Sequence, residues 1–126
     1  MKVITLKQPW ATLVAEGYKK YEFRTWKTNY RGEILIHAGK GIDKEGMKRV
    51  SKLNLEYPQS KILAKVTIKD CIELNPEKNK DIISDNSLVY GNKFDRTGYA
   101  WELENVEKIN SESIIQGKLG LWNYEE

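Results

Sequence analysis

Residues 17–26 read Gly-Tyr-Lys-Lys-Tyr-Glu-Phe-Arg-Thr-Trp, and this stretch carries the side chains best suited to chemistry. Glu22 and Arg24 stand two apart, so on a strand they project from the same side, and Lys19 can reach in from the turn before them. A carboxylate held between two cations stays ionised and accepts hydrogen bonds, while its neighbours position an anion or a carbonyl. If closure of a site desolvates Lys19, its pKa falls and the amine can serve as a base or proton shuttle. Spacing alone favours a plainer outcome, a ladder of surface ion pairs along an exposed strand. The aromatic residues are the second feature. Trp10, Trp26, Trp101 and Trp122 are many for this length, and Tyr18, Tyr30 and Tyr99 adjoin glycine, lysine or arginine. Rings beside a basic groove hold nucleobases by stacking, although core packing predicts that at least two of the four tryptophans are structural.

The charge distribution points to the same stretch. The net charge of +3 comes from 21 basic and 18 acidic residues and identifies no partner by itself. Between Tyr18 and Arg31, however, Lys19, Lys20, Arg24, Lys27 and Arg31 face one acid, Glu22, for a local charge of +4, whereas the chain from Trp101 onward carries −4. A basic surface confined to one region suits phosphate attraction.

Other chemistry lacks its residues. There is no phosphate-binding glycine loop, since Gly39-Lys40-Gly41 is only a turn-like fragment. The single histidine, His37, ends an apolar strand with no nucleophile elbow near it, and reads as a satisfied core or rim residue. The single cysteine, Cys71, cannot close an intramolecular disulfide and reads as an ordinary thiol. One Cys and one His do not make a four-ligand zinc site, so no metal and no cofactor is expected. The N-terminal Met1 to Lys7 has no long apolar run, and no segment approaches the length of a membrane span, so a cytoplasmic protein with no membrane partner is the expectation.

These groups must be positioned by one domain. At 126 residues, 31% charged and 40% hydrophobic, the chain predicts a single domain over 1–126. Val3 to Leu6 reads as a strand, and Pro9 suits the first turn of a helix in which Trp10, Leu13, Val14 and Gly17 recur at helical spacing. Tyr18 to Thr25 alternates as a half-buried strand, with Tyr21 and Phe23 opposite Lys20, Glu22 and Arg24. Ile34 to Ile36 forms another strand, Asp43 caps a helix containing Met47, Val50 and Leu53, and Ile62, Ala64, Val66 and Ile68 alternate along a strand. A short helix is placed around Asp81 to Val89, and Tyr99 to Val106 and Leu119 to Tyr124 close the chain as strands. Strands dominate and the helices are too few for a repeated parallel crossover. The predicted class is therefore α+β, a small, mostly antiparallel β-barrel with two or three flanking helices at its side or ends.

Leu6-Lys7-Gln8-Pro9-Trp10-Ala11, then Gly17-x-Lys19-x-x-Glu22-x-Arg24-x-Trp26, Tyr30-Arg31-Gly32 and Ile36-His37-Ala38, resemble the ASCH domain family. Gly98-Tyr99-Ala100-Trp101 and Gly117 to Trp122 fit its compact bacterial and phage members, so the likeness extends over nearly the whole chain. The resemblance implies a PUA-like barrel with a cleft beside the first helix and the G-x-K-x-x-E-x-R motif at its floor. It further implies RNA or single-stranded nucleic-acid binding or transcription coactivation; some small members hydrolyse the amide of 4-acetylcytidine, and others are ribonucleases. The catalytic lysine of the amidohydrolase members maps to Lys19 rather than Lys20. Their threonine three positions later is replaced here by Glu22.

The leading expectation is a nucleic-acid or nucleotide-binding module whose basic cleft beside the first helix takes RNA, single-stranded nucleic acid or a modified nucleoside. Lys19 and Arg24 contact the ligand and Glu22 fixes their geometry. Gln8, Trp10 and Trp26 join the same cleft, and Arg31 and Lys40 meet phosphate at its rim. The alternative is a small metal-independent hydrolase of an acylated nucleoside or of RNA, with Lys19 as nucleophile or base and Glu22 as proton acceptor. A third class is a protein-interaction adaptor.

Overall fold

A computed structural model describes residues 1–125. Six strands form one sheet in the order β2-β5-β4-β3-β1-β6. They are β1 (Lys2–Gln8), β2 (Tyr21–Arg24), β3 (Gly32–Ile42), β4 (Lys61–Glu73), β5 (Tyr99–Lys108) and β6 (Leu121–Asn123). Only β1 and β3 run parallel; every other neighbouring pair is antiparallel. The helices are α1 (Trp10–Ala15), α2 (Lys44–Arg49), α3 (Pro76–Asp85) and α4 (Ser87–Tyr90), with a 3-10 turn at Ser51–Leu53.

The central strand β4 forms as its alternation dictates. Ile62, Ala64, Val66 and Ile68 are buried, whereas Lys61, Leu63, Lys65 and Thr67 between them are only half-buried. Its first half pairs with β3 and its length from Ala64 to Glu73 pairs with β5. Register shifts at Lys65/Thr67 and Ile68/Asp70 against β5, and at Ile36/His37 against β4, add local twist, and the sheet curls. The curl does not close into the predicted barrel: β2 and β6 remain edges of an open, mixed sheet. Among the described residues β2 is laddered to β5 and β6 to β1, and no ladder joins those two edges. Against the sheet packs α1, in which Ala11, Thr12, Leu13, Val14 and Ala15 are all buried. A helix apolar on nearly every side needs cover all round, and α1 obtains it from β1, β3, β4 and β5 on one side and, through Leu13, from the cluster of Val50, Leu74, Val89 and Tyr90 on the other.

Local signals set the ends of these elements. Pro9 is the N-cap of α1, and Gly17, at φ +83°, turns the chain out of it while Tyr18 and Lys19 donate their backbone N–H groups to Leu13 O. The Asp43 carboxylate accepts from Gly46 N at 3.0 Å and starts α2. The helix read around Asp81 to Val89 begins earlier and divides in two. Asn75 caps α3 with Pro76 in its first turn, and Asn86 interrupts the run to cap α4.

On the far face of the sheet Val3, Leu35, Ile62 and Trp122 form a smaller cluster. Next to it His37 is fully buried within β3, a core residue as its setting suggested. Its Nε2 lies 2.6 Å from Ile115 O, an acceptor only, so Nε2 carries the proton and Nδ1 accepts from Thr5 Oγ1 at 3.1 Å. Trp122 Nε1 in turn donates to Thr5 Oγ1 at 3.0 Å. The neutral imidazole is thus satisfied, and burial holds its pKa below the ordinary 6.5. The unfolded chain takes up that proton more readily. This contribution to stability is therefore full above about pH 6.5 and is lost as pH falls from there through the lower folded value. Urea denaturation between pH 7 and pH 5 should show stability falling with acid more steeply in the wild type than in His37→Asn. Equal slopes would contradict the buried neutral histidine.

Candidate functional site

The turn after α1 and the short strand β2 build the charged centre. Lys19 is 4% exposed, and its Nζ donates to Tyr21 O and, at 3.0 Å, to Glu22 Oε1. The other carboxylate oxygen, Oε2, accepts from Arg24 Nε at 3.0 Å. Arg24 then spans the opening of the curl, donating from Nη2 to Thr5 O on β1 at 3.0 Å. The surface ladder that spacing favoured is therefore a buried, hydrogen-bonded chain. Lys20, one residue from Lys19, points outward to Asp85 at 3.7 Å.

Aromatic rings wall the amine. Lys19 Nζ lies 5.0 Å from the centre of the Phe23 ring, 5.8 Å from Tyr90 and 5.9 Å from Trp10, within reach of cation–π attraction. Burial pulls the Lys19 pKa below its ordinary 10.5, the Glu22 charge and hydrogen bond oppose that shift, and Arg96 and Arg24 add to it. The Tyr90 hydroxyl accepts from the backbone of Lys20 at 2.7 Å and of Tyr21 at 3.2 Å, which fixes the approach to β2. Burial pushes its own pKa up to about 12. Trp10 packs closely against α2 because position 46 is glycine, where a Cβ would come within 2.6 Å of the indole.

These groups open into a cavity of about 710 Å³, within the range of small-ligand sites. Lys19, Glu22 and Trp10 line it together with Phe23, Tyr90, Arg49 and Arg96. Arg49 is fixed by donating from Nε to Leu88 O at 2.9 Å and from Nη2 to Val89 O at 2.8 Å, and its guanidinium lies 5.6 Å from the Trp10 ring centre. Arg96 stacks at 4.2 Å over Phe23, and its Nη1 is buried without a hydrogen-bond partner among the described residues. Burial and the neighbouring Arg49 charge both lower the Arg96 pKa.

The other residues singled out in the sequence are placed elsewhere. Gln8 is fully buried and spent on α1: its Oε1 accepts from Thr12 N, and its Nε2 donates to Thr12 Oγ1 and Pro58 O. Trp26 packs edge-on against Trp101 at 4.8 Å, outside the cavity lining. Arg31 is on the surface near Asp70 at 3.5 Å, and Lys40 is exposed near the end of β3. Trp101 and Trp122 are buried, the two structural tryptophans expected. Phe23, Arg49, Tyr90 and Arg96 were not singled out in advance. A polar segment from 75 to 98 with isolated Tyr90 and Arg96 gave no periodic signal, and Arg49 reads as a solvated helix end.

Fold and site together define a small α+β domain whose G-x-K-x-x-E-x-R segment joins an aromatic, cationic cavity to the opening of a curled sheet. The ASCH domain model matches residues 4–113, and the chain belongs to that family. It is 31% identical over 106 residues to "Activating signal cointegrator 1" of Mus musculus, an alignment covering 69% of this chain and 18% of the mouse protein. To the Homo sapiens protein of the same name it is 30% identical over 83 residues, covering 55% of this chain and 14% of that one. The chain thus spans less than a fifth of the length of these curated relatives. No helix among the described residues is long and apolar enough to cross a membrane.

Removing one member of a buried ion pair leaves the other charge uncompensated, at a cost of about 3 kcal/mol or more. Glu22→Gln should lower the unfolding free energy by that order in urea melts and push the Lys19 pKa down further in an NMR titration of its side chain. The double variant Glu22→Gln, Lys19→Met should recover much of the loss. A Glu22→Gln protein as stable as the wild type would contradict the buried pair.

Proposed function

We propose that this domain binds single-stranded nucleic acid, RNA first, by taking one unpaired base into the cavity beside α1. The observation that carries this reading is the setting of Lys19. Its amine is held by the carboxylate of Glu22 and surrounded by Trp10, Phe23 and Tyr90 at the wall of an open cavity. Flat rings offer a stacking surface to a base, and a fixed N–H donor beside them meets the carbonyl or ring-nitrogen acceptors on its edge. Membership of the ASCH family and the local basic excess support the same reading. The coactivator name of the animal relatives is compatible with a nucleic-acid-binding role in this chain.

One observation favours a second reading, hydrolysis of an acylated nucleoside or of RNA. Burial lowers the Lys19 pKa, which raises the fraction of neutral amine able to act as a base or nucleophile. Glu22 would take up its proton, acting where amidohydrolase members use threonine.

Fluorescence titration with short single-stranded RNA and DNA should give binding that weakens with salt. Trp10→Ala should cost about tenfold or more in affinity, in line with the loss of one stacking surface, and Lys19→Met should weaken binding as well. Affinity unchanged in both variants would overturn the base-binding reading. Incubation with 4-acetylcytidine and with labelled RNA, followed by chromatography, tests hydrolysis; product formation lost in Lys19→Met supports it, and none above that control removes it.

A further inference from the structure

We propose that Arg49 and Arg96 form a phosphate subsite at the outer end of the same cavity, so that its ligand is a nucleotide rather than a bare nucleoside. The proposal rests on the base-binding reading above and adds the group recognised beside the base. Two guanidinium groups from separate parts of the chain, α2 and the loop before β5, line one cavity, and the Arg49 charge disfavours the charged form of Arg96. Like charges gathered there oppose folding unless something anionic lies between them. The local carboxylates do not lie between them: Asp95, next to Arg96 in the chain, partly offsets the charge but forms no ion pair with it within 4.0 Å among the described residues. Glu22 is taken by Lys19 and Arg24, and Asp43 caps α2. Glu45 is 90% exposed and reaches only 4.0 Å from Arg49 Nη1. Among the described residues no carboxylate pairs with Arg96 within 4.0 Å, and its buried Nη1 donates to nothing.

Both groups are held in place without an anion. The two carbonyls of α4 occupy Nε and Nη2 of Arg49, leaving Nη1 available. The loop that bears Arg96 is pinned by Asn79, 1% exposed, which donates from Nδ2 to Phe94 O at 3.0 Å and Arg96 O at 2.7 Å. A buried amide spent on two loop carbonyls fixes where Arg96 begins, and the Phe23 ring beneath its guanidinium fixes where it ends. A planar carboxylate meets a guanidinium fork best in its own plane, with both oxygens engaged. A tetrahedral phosphate can meet donors from two directions at once, which is what two anchored arginines on different elements offer. The rings beside the two guanidiniums, Trp10 at 5.6 Å from Arg49 and Phe23 at 4.2 Å from Arg96, also neighbour Lys19, so a base there and a phosphate at the arginines share one wall.

The phosphate can be a terminal monoester or an internal diester of the strand, and three probes separate these sources. They are a six-nucleotide RNA with a 5′-phosphate, the same RNA with a 5′-hydroxyl, and inorganic phosphate. Each is titrated into the full chain, with affinity and the arginine Nε–Hε NMR signals as readouts. A terminal subsite predicts that the 5′-phosphate tightens binding about tenfold and that Arg96→Gln abolishes the difference. An internal subsite predicts equal binding of both RNAs and a similar loss for both in Arg96→Gln. If both RNAs bind but Arg96→Gln and Arg49→Lys leave their affinities unchanged, and the arginine signals do not move, the subsite is overturned while base binding stands. If neither RNA binds but inorganic phosphate shifts the Arg96 signal, the subsite stands and the base-binding reading fails. Unmoved arginine signals with all three probes overturn the subsite whatever the variants do.

Discussion

The Glu22 carboxylate, shared between Lys19 and Arg24, is the interaction on which the rest of the site depends. One oxygen holds the amine against an aromatic wall; the other holds a guanidinium that crosses to the Thr5 carbonyl on β1. A buried charge with two cationic partners and well-formed hydrogen bonds is costly to assemble and costlier to break, so it specifies one arrangement of β2 relative to β1. Three strands, β5, β4 and β3, lie between them in the hydrogen-bonded order. Arg24 therefore ties β2 to β1 by a side chain, with no strand ladder between them. Arg24 and Thr5 lie outside the cavity lining, so in this arrangement Arg24 positions Glu22 and Lys19 from behind the cavity wall.

Around that centre the apolar packing has a divided role. The cluster of Leu13, Val50, Leu74, Ile82, Ile83, Val89 and Tyr90 docks α2, α3 and α4 beside α1 and so brings Arg49 and the Arg96 loop to the cavity. The main core under α1 holds the sheet in its curl. The chemistry sits where the two clusters meet, and Trp10 packs against both. A site at such a seam can combine rigid anchors with an open face, because each wall is supported from behind by its own core.

Much of the scaffold was legible in the sequence because it rests on local periodicity. The alternation of Ile62 to Ile68, the Asp43 cap and the Gly17 turn each act within a few residues and appear as read. The spacing of Lys19, Glu22 and Arg24 also placed them together, although it could not tell burial from exposure. That is decided by α1 and Tyr90, the latter about 70 residues away in the chain. The open sheet was not legible, since alternation along a strand shows which side chains are buried but not whether the two edge strands meet. Gln8 is two residues before Trp10 yet turns inward to accept from Thr12 N in the first turn of α1, while Arg31 and Lys40, basic and glycine-flanked, remain on the outer surface. Arg49 and Arg96 escaped notice because their pairing is set by tertiary contacts between segments 47 residues apart, with no motif in either.

The central claim is that ligand recognition takes place inside this cavity and not on the basic surface around Arg31 and Lys40. An amide and side-chain NMR titration of the isotope-labelled chain with a short single-stranded RNA addresses it directly. The account predicts that the largest shifts fall on the Trp10 indole, the Phe23 and Tyr90 rings and the Lys19 amine, with Arg31 and Lys40 little changed. Shifts confined to Arg31, Lys40 and their neighbours, with the Trp10 indole unmoved, would contradict it.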